Sequence, residues 1–163
     1  FAGAGAAKFI KDYNAAGLRR QIPLFGSGFL TDGVLDAVDK AAEGLEITLH
    51  YADGLNTKRD RVFRAAYNKA YKSEPDVYAV QGYDAGLLLN IGLEAVKGDV
   101  TKKKEMIAAM EKAKIDSPRG PWTMSKAHNP VQDIYLRRVV GRENKMVSVA
   151  HKALADPARG CKM

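Results

Sequence analysis

The segment Ile22-Pro-Leu-Phe-Gly-Ser-Gly28 is a short apolar run that ends in two glycines flanking a serine. Such a run predicts a buried strand over 22–25 and a turn directly after it. Helical spacing of apolar residues predicts helices on both sides, over 6–16 and 33–42, and a second strand follows over 45–51. Helix, strand, helix and strand in this order favour an α/β fold with a parallel sheet flanked by helices.

The chain after Asn56 changes from this alternation to helices alone. Apolar residues at helical spacing predict helices over 59–71 and 101–113, and a long, largely apolar run predicts another over 78–96. Small polar residues are expected as N-terminal caps, Thr31 or Asp32 for the helix over 33–42 and Thr101 for the last helix. The expected inward-facing residues of the last helix are Met106, Ile107 and Met110.

The remaining residues predict β structure. Pro118-Arg-Gly-Pro121 indicates a turn, and a short strand is expected over 122–124. Apolar residues alternate with polar ones over 133–140, which predicts a strand. A hairpin turn over 141–145 then leads into a last strand over 146–149.

Composition limits the classes of function. The chain has 163 residues, of which 46% are hydrophobic and 28% charged, the values of a globular protein. Its net charge of +7 is scattered, and no aromatic residues interleave with the basic ones. We interpret the charge as a solvated surface and expect no nucleic-acid partner.

The two ends of the chain suggest a fragment. The sequence starts at Phe1 and runs as if from the end of a strand into a helix, so we expect it to begin inside a fold. The single cysteine, Cys161, cannot form a disulfide within this chain.

Motifs of catalysis, metal binding and phosphate binding are incomplete. Gly26-Ser-Gly28 lacks both the third glycine of a dinucleotide fingerprint and the wider elbow of a serine nucleophile, so a tight turn is the better interpretation. The histidines, His50, His128 and His151, have no metal-ligand spacing. We therefore predict no catalytic residue, no metal and no cofactor.

Ligand-binding residues are suggested at three places. Tyr78 and Gln81 lie where a helix begins, and unpaired N–H groups there suit a small anionic or aromatic ligand. The Ser27 hydroxyl and the Gly28 N–H are candidate hydrogen-bond donors at a turn. His50-Tyr51 ends a predicted strand, near the point where alternating helices and strands give way to helices alone.

Five segments together resemble the C-terminal half of a type I periplasmic solute-binding protein, the family of the branched-chain amino-acid receptors of ABC importers. They are Phe1-Ala-Gly-Ala-Gly5, Ile22 to Gly28, Ala41-Ala-Glu-Gly44 leading to His50-Tyr51, Tyr78 to Ala85, and Ser117 to Pro121. No single motif is decisive, but their order and spacing cover nearly the whole chain.

The resemblance implies two α/β lobes joined by three hinge strands. Residues 1–49 would belong to the second lobe, 50–130 to the first lobe, and 131–163 to the return into the second lobe. It also implies a periplasmic protein, with a Gram-negative source, that is not an enzyme and delivers a small-molecule ligand to an ABC permease. The N-terminal half of the protein would be missing from this chain.

Two departures from the family pattern bear on the ligand. The family's ligand-touching aromatic is present as Tyr78, but the acid that grips an amino acid's ammonium group is replaced by Ser27. A family tyrosine near Ala4 or Gly5 is also absent. We therefore expect a small aromatic or related carboxylic acid, with Phe29 and Tyr78 as apolar walls and Ser27 and Gln81 as donors.

Three alternatives remain open at this stage. A receptor of the same fold could bind branched-chain amino acids by using an acid elsewhere. A nucleotide-binding α/β enzyme would need a complete glycine fingerprint. A regulatory module of the same fold would bind no small acid.

Overall fold

The structure is a computed structural model that describes residues 2–157 and 159–160, so Phe1 and Cys161 lie outside the described residues. The residues divide by their contacts into two compact units. Unit 1 contains residues 1–56 and 134–150, and unit 2 contains residues 57–133 and 151–163. The α/β class predicted from the sequence is confirmed, but the predicted parallel sheet combines parallel with antiparallel strand pairs.

Unit 1 contains helices α1 (Gly3–Ala15) and α2 (Leu35–Val38) and strands β1 (Phe25–Ser27) and β2 (Glu46–Leu49). Strands β1 and β2 are parallel, and the C-terminal part of strand β5 (Pro130–Val140) joins β2 in the antiparallel direction. The buried core of the unit lies between α1, the region of α2 and these strands. It includes Ala6, Ile10, Leu30, Val34, Leu35, Val38, Ala42, Leu45, Ile47 and Val139.

The first strand forms later in the chain than the apolar run predicts. Strand β1 begins at Phe25, whereas Ile22 is 56% exposed and lies outside it. The Ile22 backbone is held by the preceding turn, because its N–H donates to the Leu18 carbonyl at 2.8 Å and its carbonyl accepts from the Tyr13 hydroxyl. The prediction of a buried strand over 22–25 is therefore wrong.

The helix expected over 33–42 is broken into short pieces. The four-residue α2 lies between 3-10 turns at Gly28–Leu30 and Asp39–Ala42. Neither Thr31 nor Asp32 caps it, because the Thr31 hydroxyl donates to Asn144 and the Asp32 carboxylate accepts from Arg137. Distant partners thus replace the predicted local caps.

Unit 2 contains the helices α3 (Lys58–Tyr71), α4 (Val77–Ala95) and α5 (Lys103–Glu111). The first two start at side-chain caps: the Thr57 side chain accepts from the Asp60 N–H, and the Asp76 side chain accepts from the Ala79 N–H. The predicted bounds of both helices are confirmed to within one residue at each end.

Helix α5 is shorter than predicted and Thr101 does not cap it. The Thr101 hydroxyl and N–H both donate to Asp99 Oδ1, at 2.6 and 3.1 Å, which forms a turn before the helix. Met106 and Met110 are half-buried against Gly92 of α4. Ile107 is 47% exposed, so its predicted inward orientation is wrong.

The β structure of unit 2 is antiparallel. Strand β3 (Lys114–Ile115) pairs with β4 (Trp122–Met124), and β4 pairs with the start of β5. In unit 1, a turn at 141–142 leads into strand β6 (Glu143–Leu154), which pairs with β5 and whose residues from 151 onwards belong to unit 2. Within residues 2–157 and 159–160, no helix combines the length and the apolar character needed to cross a bilayer.

Candidate functional site

The turn after β1 carries three of the residues singled out in the sequence. Ser27 ends the strand in an extended conformation, and its side chain makes no capping hydrogen bond to the 3-10 turn that follows. Phe29 is 42% exposed, whereas Gly28 is buried. The Gly28 carbonyl closes the turn by accepting from the Thr31 and Asp32 N–H groups, at 3.0 and 2.9 Å.

A buried arginine packs beneath this turn. Arg137 of β5 binds the Asp32 carboxylate with both terminal nitrogens, Nη2–Oδ2 at 2.6 Å and Nη1–Oδ1 at 3.2 Å. Its Nη1 also donates to the Tyr51 carbonyl at 3.0 Å. The side chains of Arg137 and Asp32 are 1% and 6% exposed. A two-point ion pair of this kind fixes orientation as well as charge.

A second buried link runs beside the first. The Thr31 hydroxyl donates to Asn144 Oδ1 at 2.8 Å. The Asn144 N–H donates to Asp53 Oδ2, and the Asp53 N–H donates back to the Asn144 carbonyl, both at 2.9 Å. The turn is therefore connected through β5 and β6 to residues 51–53.

His50 and Tyr51 follow β2 in the same unit. His50 is half-buried, and Tyr51 is 2% exposed. The Tyr51 carbonyl lies under the turn because it is held by Arg137. Unit 1 thus contains five of the predicted ligand-binding residues, Ser27, Gly28, Phe29, His50 and Tyr51.

The other two candidates, Tyr78 and Gln81, lie in unit 2 on the first turns of α4. They are three positions apart along the helix, so they lie on neighbouring positions of one helix face. Gln81 is exposed and Tyr78 is 46% exposed. Tyr83 instead packs on Phe63 of α3, with ring centroids 4.9 Å apart.

A buried polar cluster lies one turn further along α4. Asp84 Oδ2 accepts three hydrogen bonds: from the Ser117 hydroxyl at 2.9 Å, from Arg119 Nε at 2.6 Å and from Trp122 Nε1 at 3.0 Å. The Arg119 guanidinium lies 5.2 Å from the centre of the Trp122 ring. The cluster ties β4 and the turn before it to α4.

A cavity of about 450 Å³ lies elsewhere in unit 2, and none of the seven candidates lines it. Its walls include Lys58, Arg59, Val62, Asp116 and Pro121. Hydrogen bonds from Arg59 Nε and Nη2 to Asp116 Oδ2 raise the pKa of the Arg59 guanidinium above its ordinary value. No group of side chains with the makings of a metal site occurs in residues 2–157 and 159–160.

Local sequence patterns did not predict that Arg137, Asp84 and Asn144 are buried polar residues. Arg137 stands in an alternating strand whose inward face is Tyr135, Arg137 and Val139, so a charge occupies a core position. The buried charge could have been predicted only from that odd-numbered register, in which an arginine stands between a tyrosine and a valine. Asp84 and Asn144 carry no comparable local signal.

A family model described as periplasmic binding protein matches residues 1–144. The chain therefore belongs to this family of periplasmic binding proteins, as the resemblance implied. Its structural relatives are solute-binding proteins of ABC transporters, which are not enzymes. No match was found among curated protein sequences.

Solved structures resemble the whole chain. A solute-binding protein of an R. palustris ABC transporter, in complex with benzoate, is 52% identical with a TM-score of 0.93 and covers 100% of this chain and 45% of its own. A second such protein, from a Rhodopseudomonas palustris strain and in complex with 3,4-dihydroxy benzoic acid, is 30% identical with a TM-score of 0.83, covering 97% and 45%.

A leucine-binding protein from Thermotoga maritima shares the fold at lower similarity. It is 18% identical with a TM-score of 0.72, and the match covers 89% of this chain and 41% of that one. The present chain thus spans less than half the length of the solved relatives that it matches.

Proposed function

We propose that this chain is part of an extracytoplasmic solute-binding protein that delivers a small aromatic carboxylic acid to an ABC permease. The proposal depends most on the side chains of the turn after β1. The family resemblance implies that Ser27 takes the place of an acid found in amino-acid receptors, so the turn would offer a hydroxyl in place of a carboxylate.

The nearby carboxylate does not replace that acid. Asp32 follows the turn, but its two oxygens accept from Arg137 and its charge is balanced there. A ligand ammonium group placed at Ser27 would therefore lose a charge-assisted hydrogen bond of about 1.5–3 kcal/mol. An acid without an ammonium group incurs no such loss.

The ligands bound to two solved relatives support the same chemical class of ligand, an aromatic carboxylic acid. The neighbours at 52% and 30% identity hold benzoate and 3,4-dihydroxy benzoic acid, which are aromatic carboxylates without an amino group. In this proposal Phe29 and Tyr78 supply apolar walls, and Ser27, the Gly28 N–H and Gln81 supply hydrogen bonds. His50 and Tyr51 border the site from the end of β2.

The division into units supports a two-lobe mechanism. In this proposal residues 1–49 belong to the second lobe, 50–130 to the first and 131–163 to the return into the second lobe, while the division by contacts changes unit after residues 56, 133 and 150. Ligand that contacts both lobes stabilises a closed form, which the permease of a Gram-negative inner membrane then recognises.

A thermal-shift screen of the full-length protein tests the proposal. Benzoate and hydroxybenzoates at 1,000 times their Kd should add about 4 kcal/mol to the free energy of unfolding, whereas leucine and valine should leave the melting temperature unchanged. A shift with leucine and none with any aromatic acid would favour the branched-chain receptor instead. No shift with any small acid would favour a regulatory module.

A further inference from the structure

The Arg137 side chain stabilises the turn that carries Ser27 and Gly28. Arg137 holds Asp32, at the end of the turn, and the Tyr51 carbonyl with the same guanidinium group. A β-carbon on Gly28 would stand 2.7 Å from Arg137 Nη2, so the guanidinium also packs directly against the turn. The position of the Arg137 guanidinium therefore determines how far the Gly28 backbone lies from β5.

The link through Asn144 acts on the same two segments. Thr31, next to Asp32, donates to Asn144, and Asn144 exchanges two hydrogen bonds with Asp53. Tyr51 and Ala52 are buried and Asp53 is half-buried, and they are followed by the last residues of this part of unit 1, which ends at Asn56. Two independent buried links thus join the turn to the segment that leads out of the unit.

We propose that Arg137 and, to a smaller extent, Thr31 with Asn144 are positioning residues for ligand binding, because they hold the turn after β1 in one place relative to residues 51–53. The expected effect on ligand binding rests on the proposed function. The expected effect on the position of the turn does not. A guanidinium can bond a carboxylate at two points and a carbonyl at a third, whereas a lysine ammonium is a single point charge. Arg137→Lys therefore keeps the charge and loses the geometry.

The test compares four variants of the full-length protein well below their melting temperatures. Arg137→Lys should weaken benzoate binding about tenfold, as the loss of one charge-assisted contact would, and Thr31→Val should weaken it severalfold. Arg138→Lys is the matched control, because Arg138 is the next residue of β5 but is exposed and paired with Glu46. Ile47→Val, in the core of the same unit, controls for lost stability alone.

Hydrogen exchange of the ligand-free protein supplies a readout that does not depend on benzoate. In Arg137→Lys, the amides of Thr31 and Asp32 should exchange faster, while the two controls keep wild-type rates there. Thr31→Val gives the same comparison if Arg137→Lys does not fold. A wild-type protein that does not bind benzoate would overturn the proposed function. Hydrogen exchange of the variants would then test by itself whether Arg137 holds the turn in place.

Two results would overturn the inference. One is wild-type exchange of the turn amides in both Arg137→Lys and Thr31→Val. The other is a benzoate Kd that rises no further in these variants than in Ile47→Val at a matched loss of melting temperature.

Discussion

Gly28 lies so close to Leu49 that a β-carbon at position 28 would stand 2.5 Å from the leucine Cδ2 atom. The same β-carbon would approach Arg137 Nη2 to 2.7 Å. Leu49 can rotate, but the guanidinium is fixed by its bonds to Asp32 and Tyr51. Packing therefore requires a glycine at this position.

Gly28→Ala should consequently destabilise the protein by about 1–3 kcal/mol, the usual cost of overpacking. Urea unfolding of the variant measures the loss. Gly86→Ala is a suitable control, because Gly86 lies within α4 with nothing within 4 Å of its β-carbon position. That control should gain about 0.5–1 kcal/mol. Unchanged stability of Gly28→Ala would show that the turn has room to move.

Ser27→Glu introduces the acid that the family resemblance implies for amino-acid receptors at this position. A carboxylate there should weaken benzoate binding about tenfold or more, because two like charges would face each other. Isothermal titration calorimetry measures the change, and Ser73→Glu, at an exposed position between α3 and α4, is the control. Undiminished benzoate binding by Ser27→Glu would place the ligand away from the turn.

Tyr78 is predicted to act through its ring. Tyr78→Ala should weaken benzoate binding about tenfold, since an aromatic contact and its buried area are lost, and Tyr78→Phe should retain most of the affinity. Tyr71→Ala serves as the control, because Tyr71 is 68% exposed at the end of α3. Equal losses for the alanine and phenylalanine variants would assign the role to the hydroxyl instead.

The buried Asp84 cluster makes a prediction about stability alone. Asp84→Asn should cost about 3–5 kcal/mol, because it leaves the Arg119 charge buried without its partner. Asp116→Asn breaks a more exposed ion pair with Arg59 and should change the free energy of unfolding little. Similar results for the two variants in urea unfolding would contradict the structural account of the cluster.

The sequence predicted those parts of the fold that depend on local interactions. Helix α3 has an apolar stripe at helical spacing and α4 is a long, largely apolar segment, so local pattern was enough to predict both. Strand β4 followed from the turn before it. The family resemblance added the fold and the class of protein, which the family match confirms.

The parts that could not be predicted depend on distant residues. Thr31 and Asp32 are good caps by composition, but their partners lie more than 100 positions away in β6 and β5. The start of β1 is set by its pairing of Phe25 with Glu46 and by the turn that holds Ile22. No local pattern reports such contacts, so the support beneath the ligand-binding turn became visible only in the structure.

The central claim is that the ligand is an aromatic carboxylate and not an amino acid. Calorimetric titration of the full-length protein with benzoate and with leucine tests it most directly. The account predicts saturable binding of benzoate with a Kd in the micromolar range or below, or about −8 kcal/mol and stronger, and no heat of binding with leucine. Tight leucine binding together with no response to benzoate would contradict it.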